Sequence, residues 1–213
     1  MDRSRLEAFS DGVIAVAITL LALDLAVPGP GHGHLLHQLH DKWPAFVAYL
    51  ISFFTIGIIW VNHHALVRTI KTVDRTLLYL NLVLLLFVVA IPFATATVAD
   101  YLSVPSDDTP VAMMLYGGVF LGMSAGFGAI FEWTLHGQRV YQPLPPGQHW
   151  AARRRFVGGG LVYAVAIVVA YFSAVASFVI IGLVAVYYMF ERTPASASAS
   201  AAPGSGDDGQ PAP

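Results

Sequence analysis

Long apolar runs separated by short polar, arginine-bearing breaks dominate the chain. The runs lie at about Leu6 to Val27, Pro44 to Val67, Thr76 to Ala99 and Pro110 to Leu135. Each supplies the roughly 20 mostly apolar residues that a helix needs to cross a bilayer core. A last apolar block, Phe156 to Phe190, is too long for one span and short for two full ones. It is read as two short helices turning near Tyr171 to Ser177, with one long tilted helix as the alternative. The pattern therefore predicts an all-α membrane protein with six transmembrane helices per subunit, forming one domain over residues 1–192. The stretch 193–213, TPASASASAAPGSGDDGQPAP, has almost nothing to bury and is expected to be a disordered tail.

Composition agrees with this picture. With 56% hydrophobic and 11% charged residues, the chain is too apolar and charge-poor for an ordinary soluble domain. An acidic residue inside the first run, and no small-residue cleavage site after it, predict a retained span rather than a signal peptide. No cysteine is present, which excludes a disulfide framework and thiolate metal sites. A net charge of -2 creates no field that would call for nucleic acid as a partner.

Placement of the basic residues predicts orientation. Of the 11, only Lys42 falls on one side; Arg3, Arg5, Arg68, Lys71, Arg75, Arg139, Arg153, Arg154, Arg155 and Arg192 all fall on the other. The excess of Arg and Lys on cytoplasmic loops then puts both termini inside a cell membrane that the chain crosses several times.

On a helical wheel of the first run, at about 100° per residue, Val13, Leu20, Leu23 and Val27 lie within roughly 60° of Val16. Ser10 and Asp11 lie more than about 100° away. One face is an aliphatic stripe, and the polar pair points toward neighbouring helices. By itself such a stripe is equally a packing or lipid-facing surface.

Three motifs sharpen the reading. R-x-x-x-F-S-D-G runs from Arg5 to Gly12, followed by the aliphatic run ending in Asp24 and Leu25; the second span closes on W-V-N-H-H, Trp60 to His64; the third carries Asn81 and then I-P-F, Ile91 to Phe93. Together these resemble the bacterial relatives of transmembrane protein 175, the endolysosomal potassium channel family. The resemblance implies a homotetramer of six-span subunits whose first helices line a central cation pore. It also implies that branched aliphatic side chains on that helix, rather than a carbonyl filter, set the narrowest point. Matched by motif position, these are Val16, Leu20 and Leu23, with Thr19 flanking them. The family commonly has isoleucine where this chain has Val16, which leaves open whether Val16 or Leu20 is narrowest and implies weaker selectivity.

No T-V-G-Y-G segment occurs, so no ring of backbone carbonyls replaces the ion's water. An aliphatic ring gates by dewetting and favours the ion that sheds water most cheaply, which is potassium before sodium. The expected function is a potassium-preferring cation channel, with potassium ions, further copies of the chain and the bilayer as partners. The alternative is a secondary transporter, although the middle of the first run lacks the Gly or Pro breaks of a midplane binding site. A non-conducting scaffold is a third reading without positive features. None of the nucleophile, P-loop, dinucleotide or zinc-protease motifs is present, so neither an enzyme nor a cofactor is expected.

Polar residues near the first helix's cytoplasmic end are expected to form a hydrogen-bonded cluster. Its members are Arg5, Ser10, Asp11, Trp60, His63 or His64, and Asn81, with Phe9 from the same motif. The cluster would either cap the helix statically or, through a histidine titrating near neutral pH, bias opening. Asp24 either rings the outer mouth with negative charge or pairs with its own helix end or Lys42. The outer stretch Gly31 to His40 holds four histidines but no cysteine and no acidic neighbour beyond Asp41, and is read as an amphipathic segment rather than a metal site. Gly118, Gly122 and Gly126 recur every four residues and predict close helix packing. Pro92 is a candidate kink, and Glu132 a partner for an unspecified Arg or His.

Overall fold

The computed structural model describes the backbone of residues 2–136, 139–141 and 146–190, and their side chains except at 146–149, 151, 152, 155 and 156. Arg192 and the expected tail at 193–213 lie outside the described residues. Among the described residues seven α-helices follow one another: α1 (Arg3–Leu20), α2 (Leu35–Asp41), α3 (Trp43–Thr69), α4 (Arg75–Ser103), α5 (Thr109–Leu135), α6 (Pro146–Phe172) and α7 (Ala174–Phe190).

Helix ends follow local chemistry. Pro44 and Pro110 sit in the first turns of α3 and α5, where a missing N–H costs nothing. The Asp74 carboxylate accepts the Leu77 N–H at 2.8 Å and caps α4. α1 stops seven residues short of the expected Val27, tightening into a 3-10 turn over Leu21–Asp24. Pro28 disfavours helix at the residue before it, and Gly29, Gly31 and Gly33 adopt left-handed φ of 88°, 95° and 95°. Gln38 of α2 then pins this loop: its side-chain amide donates to the Gly29 and Gly33 carbonyls at 3.0 and 3.1 Å and accepts the Gly29 N–H at 3.0 Å.

Among the described residues four helical stretches, Arg3–Asp24, Trp43–Thr69, Arg75–Ser103 and Thr109–Leu135, are long and apolar enough to span a membrane. The final block does turn where expected, at Ser173, but its apolar stretches Val157–Phe172 and Ala174–Phe190 are shorter than those four. α6 and α7 run back to back, with the Ser177 hydroxyl donating to the Ala166 carbonyl at 2.7 Å. α4 continues as helix through Pro92.

α1 packs on α3 and α4, at one flank of the bundle, and the α6–α7 hairpin packs on α5 and α3 at another. Between them lies a buried polar knot, in which Ser52 Oγ stands 2.7 Å from Thr95 Oγ1 and 2.9 Å from Tyr116 Oη. The loops after α3 and α5 meet at one end: the Lys71 N–H donates to the Arg139 carbonyl at 2.7 Å and the Tyr141 N–H to the Thr69 carbonyl at 3.0 Å. Arg3 reaches the same end, donating to the Arg68 carbonyl at 3.1 Å. Glu132 takes a bidentate pair from Arg153, at 2.5 and 2.6 Å, tying α5 to α6.

The glycine series on α5 divides. Gly122 lies against the Phe87 ring and Gly126 against the α4 backbone, where an added β-carbon would stand 3.0 Å from Leu84 Cα; Gly118 faces open space. Gly126→Ala is therefore expected to destabilise the protein by about 1–3 kcal/mol, since backbone cannot rotate away as a side chain can. Gly118→Ala is expected to be near neutral. Thermal unfolding in detergent distinguishes them, and equal losses would contradict the assignment.

Candidate ion pathway and its supporting cluster

α1 presents two chemically distinct faces. Leu6, Ser10, Ile14, Ala17 and, in the following turn, Leu21 are buried against α3 and α4. On the other side Phe9, Val16, Leu20 and Leu23 stand 49%, 56%, 38% and 72% exposed. Large aliphatic groups left open on a helix otherwise packed into a bundle require a covering partner, which can be lipid, another protein surface or an ion path. The stripe is narrower than the wheel suggested. Val13 is half-buried and packs on the core, and Val27 lies beyond the helix. Thr19 belongs to the free face, with its hydroxyl donating to the Val16 carbonyl at 2.8 Å. Asp24 is exposed just past it and makes no ion pair with Lys42 among the described residues.

Two linked sets of contacts hold the opposite face. The inner set is fully buried. Asn81 Nδ2 donates to Ser10 Oγ at 3.0 Å, and the Ser10 hydroxyl donates to the Leu6 carbonyl at 2.9 Å. Asn81 Oδ1 accepts from His63 Nε2 at 2.8 Å. That assignment puts the imidazole proton on Nε2, and His63 Nδ1 is left buried without a hydrogen-bond partner. In the outer set Glu7, Asp11 and His64 are half-buried and Trp60 is exposed. Trp60 Nε1 donates to Asp11 Oδ1 at 2.9 Å. His64 Nδ1 lies 2.8 Å from Glu7 Oε1, an ion-pair distance without the alignment of a hydrogen bond. The Trp60 and His64 rings lie 6.1 Å apart.

Of the residues expected to cluster, the structure brings Ser10, His63 and Asn81 into one hydrogen-bonded set and places Asp11, Trp60 and His64 in the neighbouring one. Two expected members join neither. The Arg5 side chain is exposed and makes no contact of this kind among the described residues, and Phe9 points out with the aliphatic stripe. Glu7 was not anticipated, although its place one helical turn before Asp11 puts both carboxylates on the same side.

The outer histidines do not converge. His37 and His40 flank Asp41 at 3.4 and 3.9 Å with exposed side chains, in keeping with an amphipathic surface helix. Among the described residues the one convergent set of metal-type ligand atoms belongs to Glu7, Asp11 and His64.

Known proteins resemble this arrangement. The family model described as "Endosomal/lysosomal potassium channel TMEM175" matches residues 5–92, which take in most of α1, all of α2 and α3 and most of α4. A potassium channel of Streptomyces collinus is 40% identical over 206 residues, covering 95% of this chain and 98% of that protein. The crystal structure of a lysosomal potassium-selective channel TMEM175 homolog from Chamaesiphon minutus superposes with a TM-score of 0.78 at 32% identity. That superposition covers 88% of this chain and 96% of that one. The human endosomal/lysosomal proton channel TMEM175 is 33% identical over 155 residues, covering 67% of this chain and 30% of that protein.

Proposed function

The chain belongs to the TMEM175 family, and from that premise we infer that it is a potassium channel whose ions pass along the exposed face of α1. It is neither an enzyme nor a transporter. The observation that carries the placement of the path is the free stripe of Val16, Leu20 and Leu23 on a helix whose Ser10 and Asp11 are turned toward α3 and α4.

The reading extends to the assembly. Six helices per subunit, with α6 and α7 as two short spans and α2 lying at the outer surface, form a homotetramer around a central pore that α1 lines. Four copies of the stripe then meet as stacked aliphatic rings, narrowest at Val16 or Leu20. Such rings hold back water and pass the cation with the loosest hydration shell. Thr19 flanks the rings, and Asp24 adds a ring of negative charge at the outer mouth that concentrates cations. The cluster behind α1 fixes its tilt. Clustering of Arg3, Arg68, Lys71 and Arg139 at one end supports that end as the cytoplasmic side of a cell membrane.

Potassium efflux from liposomes holding the purified protein tests the function. Efflux that is graded with potassium, exceeds that of sodium and needs no counter-substrate is expected. Efflux that requires a second solute, or none at all, would sink the channel reading. The mass of the detergent-solubilised assembly is expected to equal four chains.

A further inference from the structure

Glu7, Asp11 and His64 lie off the aliphatic stripe and share no hydrogen bond with the buried Ser10–Asn81–His63 set beside them. Their ligand atoms, one from each residue, all lie within 4.8 Å of one another. Two carboxylates one helical turn apart on α1 and an imidazole from α3 form a mixed oxygen and nitrogen donor set. This is the kind that zinc and similar divalent transition ions take, at about 2.0–2.2 Å from each donor.

Charge gives a second argument. Among the described residues neither carboxylate pairs with a lysine or arginine, and the His64 imidazole is the basic group nearest to Glu7. Two half-buried carboxylates on a membrane helix with no lysine or arginine at ion-pair distance among the described residues carry negative charge that partial burial makes costly. The donor atoms are also poised. His64 Nδ1 is sealed from solvent, faces Glu7 Oε1 at 2.8 Å and makes no aligned hydrogen bond. The Trp60 indole N–H holds Asp11 Oδ1 and leaves the other carboxylate oxygen uncommitted, an outer-shell contact that orients a ligand.

We propose that Glu7, Asp11 and His64 bind a divalent transition-metal ion, with zinc as its type, that fastens α1 to α3. Three protein donors leave a fourth position for water. Occupied, the site would brace the pore-lining helix from behind at the end opposite Asp24.

Zinc alone is the probe. The full chain in lipid nanodiscs, with His32, His34, His37 and His40 all changed to alanine so that the outer loop cannot bind, is titrated by calorimetry. One saturable site per subunit is expected. Glu7→Gln and His64→Gln, each close to isosteric, are each expected to weaken it by at least about tenfold, the lower end of what loss of even an outer-shell partner costs. Cobalt(II) in place of zinc gives a second readout, a visible absorption band present in the parent and lost in His64→Gln. No saturable binding, or unchanged affinity in both variants, overturns the proposal. Because binding is read without ion flux, its outcome is independent of whether the chain conducts.

Discussion

Leu20→Ala is expected to speed potassium efflux about tenfold and to erode the preference over sodium. In the proposed fourfold pore the substitution removes four isopropyl groups from one ring at once. A few tenths of a kcal/mol of dewetting per subunit adds to about 1.4 kcal/mol for the ring, and that is about tenfold in rate. Val16→Thr separates the two ways such a ring can act. Threonine nearly matches valine in volume but lines the ring with hydroxyls, so a hydration barrier falls while a steric one stays. Faster efflux in Val16→Thr identifies water exclusion as the barrier. Parent-like rates in both variants would show that the exposed face of α1 is not the path.

Asn81→Ala is expected to be the most damaging polar substitution in the bundle. Asn81 is buried, and its amide alone links α1 to His63 of α3, through bonds of 3.0 Å to Ser10 and 2.8 Å to His63. Without it both ring nitrogens of His63 lack partners in a site closed to water. An orphaned buried polar group costs about 1–3 kcal/mol, whereas an ordinary hydrogen bond between membrane helices averages about 0.6 kcal/mol. The orphan term decides the size, so a loss of about 2 kcal/mol is expected. In a chain of this length that corresponds to a lower melting midpoint by about 4–8 °C. Ser10→Ala, which deletes the bonds to Asn81 and to the Leu6 carbonyl but leaves the Asn81–His63 bond in place and strands no ring, should cost less. Melting curves of the two variants in detergent check the order. If Ser10→Ala proves the worse of the two, the network does not hold α1 through Asn81.

The spans and the class of the protein were legible because hydropathy is a property of consecutive residues. The turn at Ser173 was legible for the same reason, since the last apolar block has the wrong length for one helix. The F-S-D and W-V-N-H-H motifs likewise marked Ser10, Asp11, Trp60, His63 and His64 before any contact was known. Arg5 and Phe9, from the same motif, do not join them in the structure: shared motif membership does not say which face of a helix a residue occupies, and both turn outward.

The wheel in turn overstated the stripe. It treats a helix as ideal and endless, so it kept Val27, which the Pro-Gly loop removes, and Val13, which sits at the edge of the face and packs inward. Gly118 was misgrouped with Gly122 and Gly126 because a four-residue spacing fixes a shared face, while only the neighbouring helix determines which positions it touches.

By itself, then, the sequence determined that the chain is a helical membrane protein, roughly where its helices begin and end, and which residues carry its family's signature. These follow from local propensity and from the cost of exposing backbone and charge to lipid. Only the tertiary structure decided that Glu7 faces His64, that Arg153 rather than another cation holds Glu132, and that the loops after α3 and α5 meet at one end. Those pairings join residues far apart in the chain, and helix rotation and crossing select them through packing, which no single segment encodes.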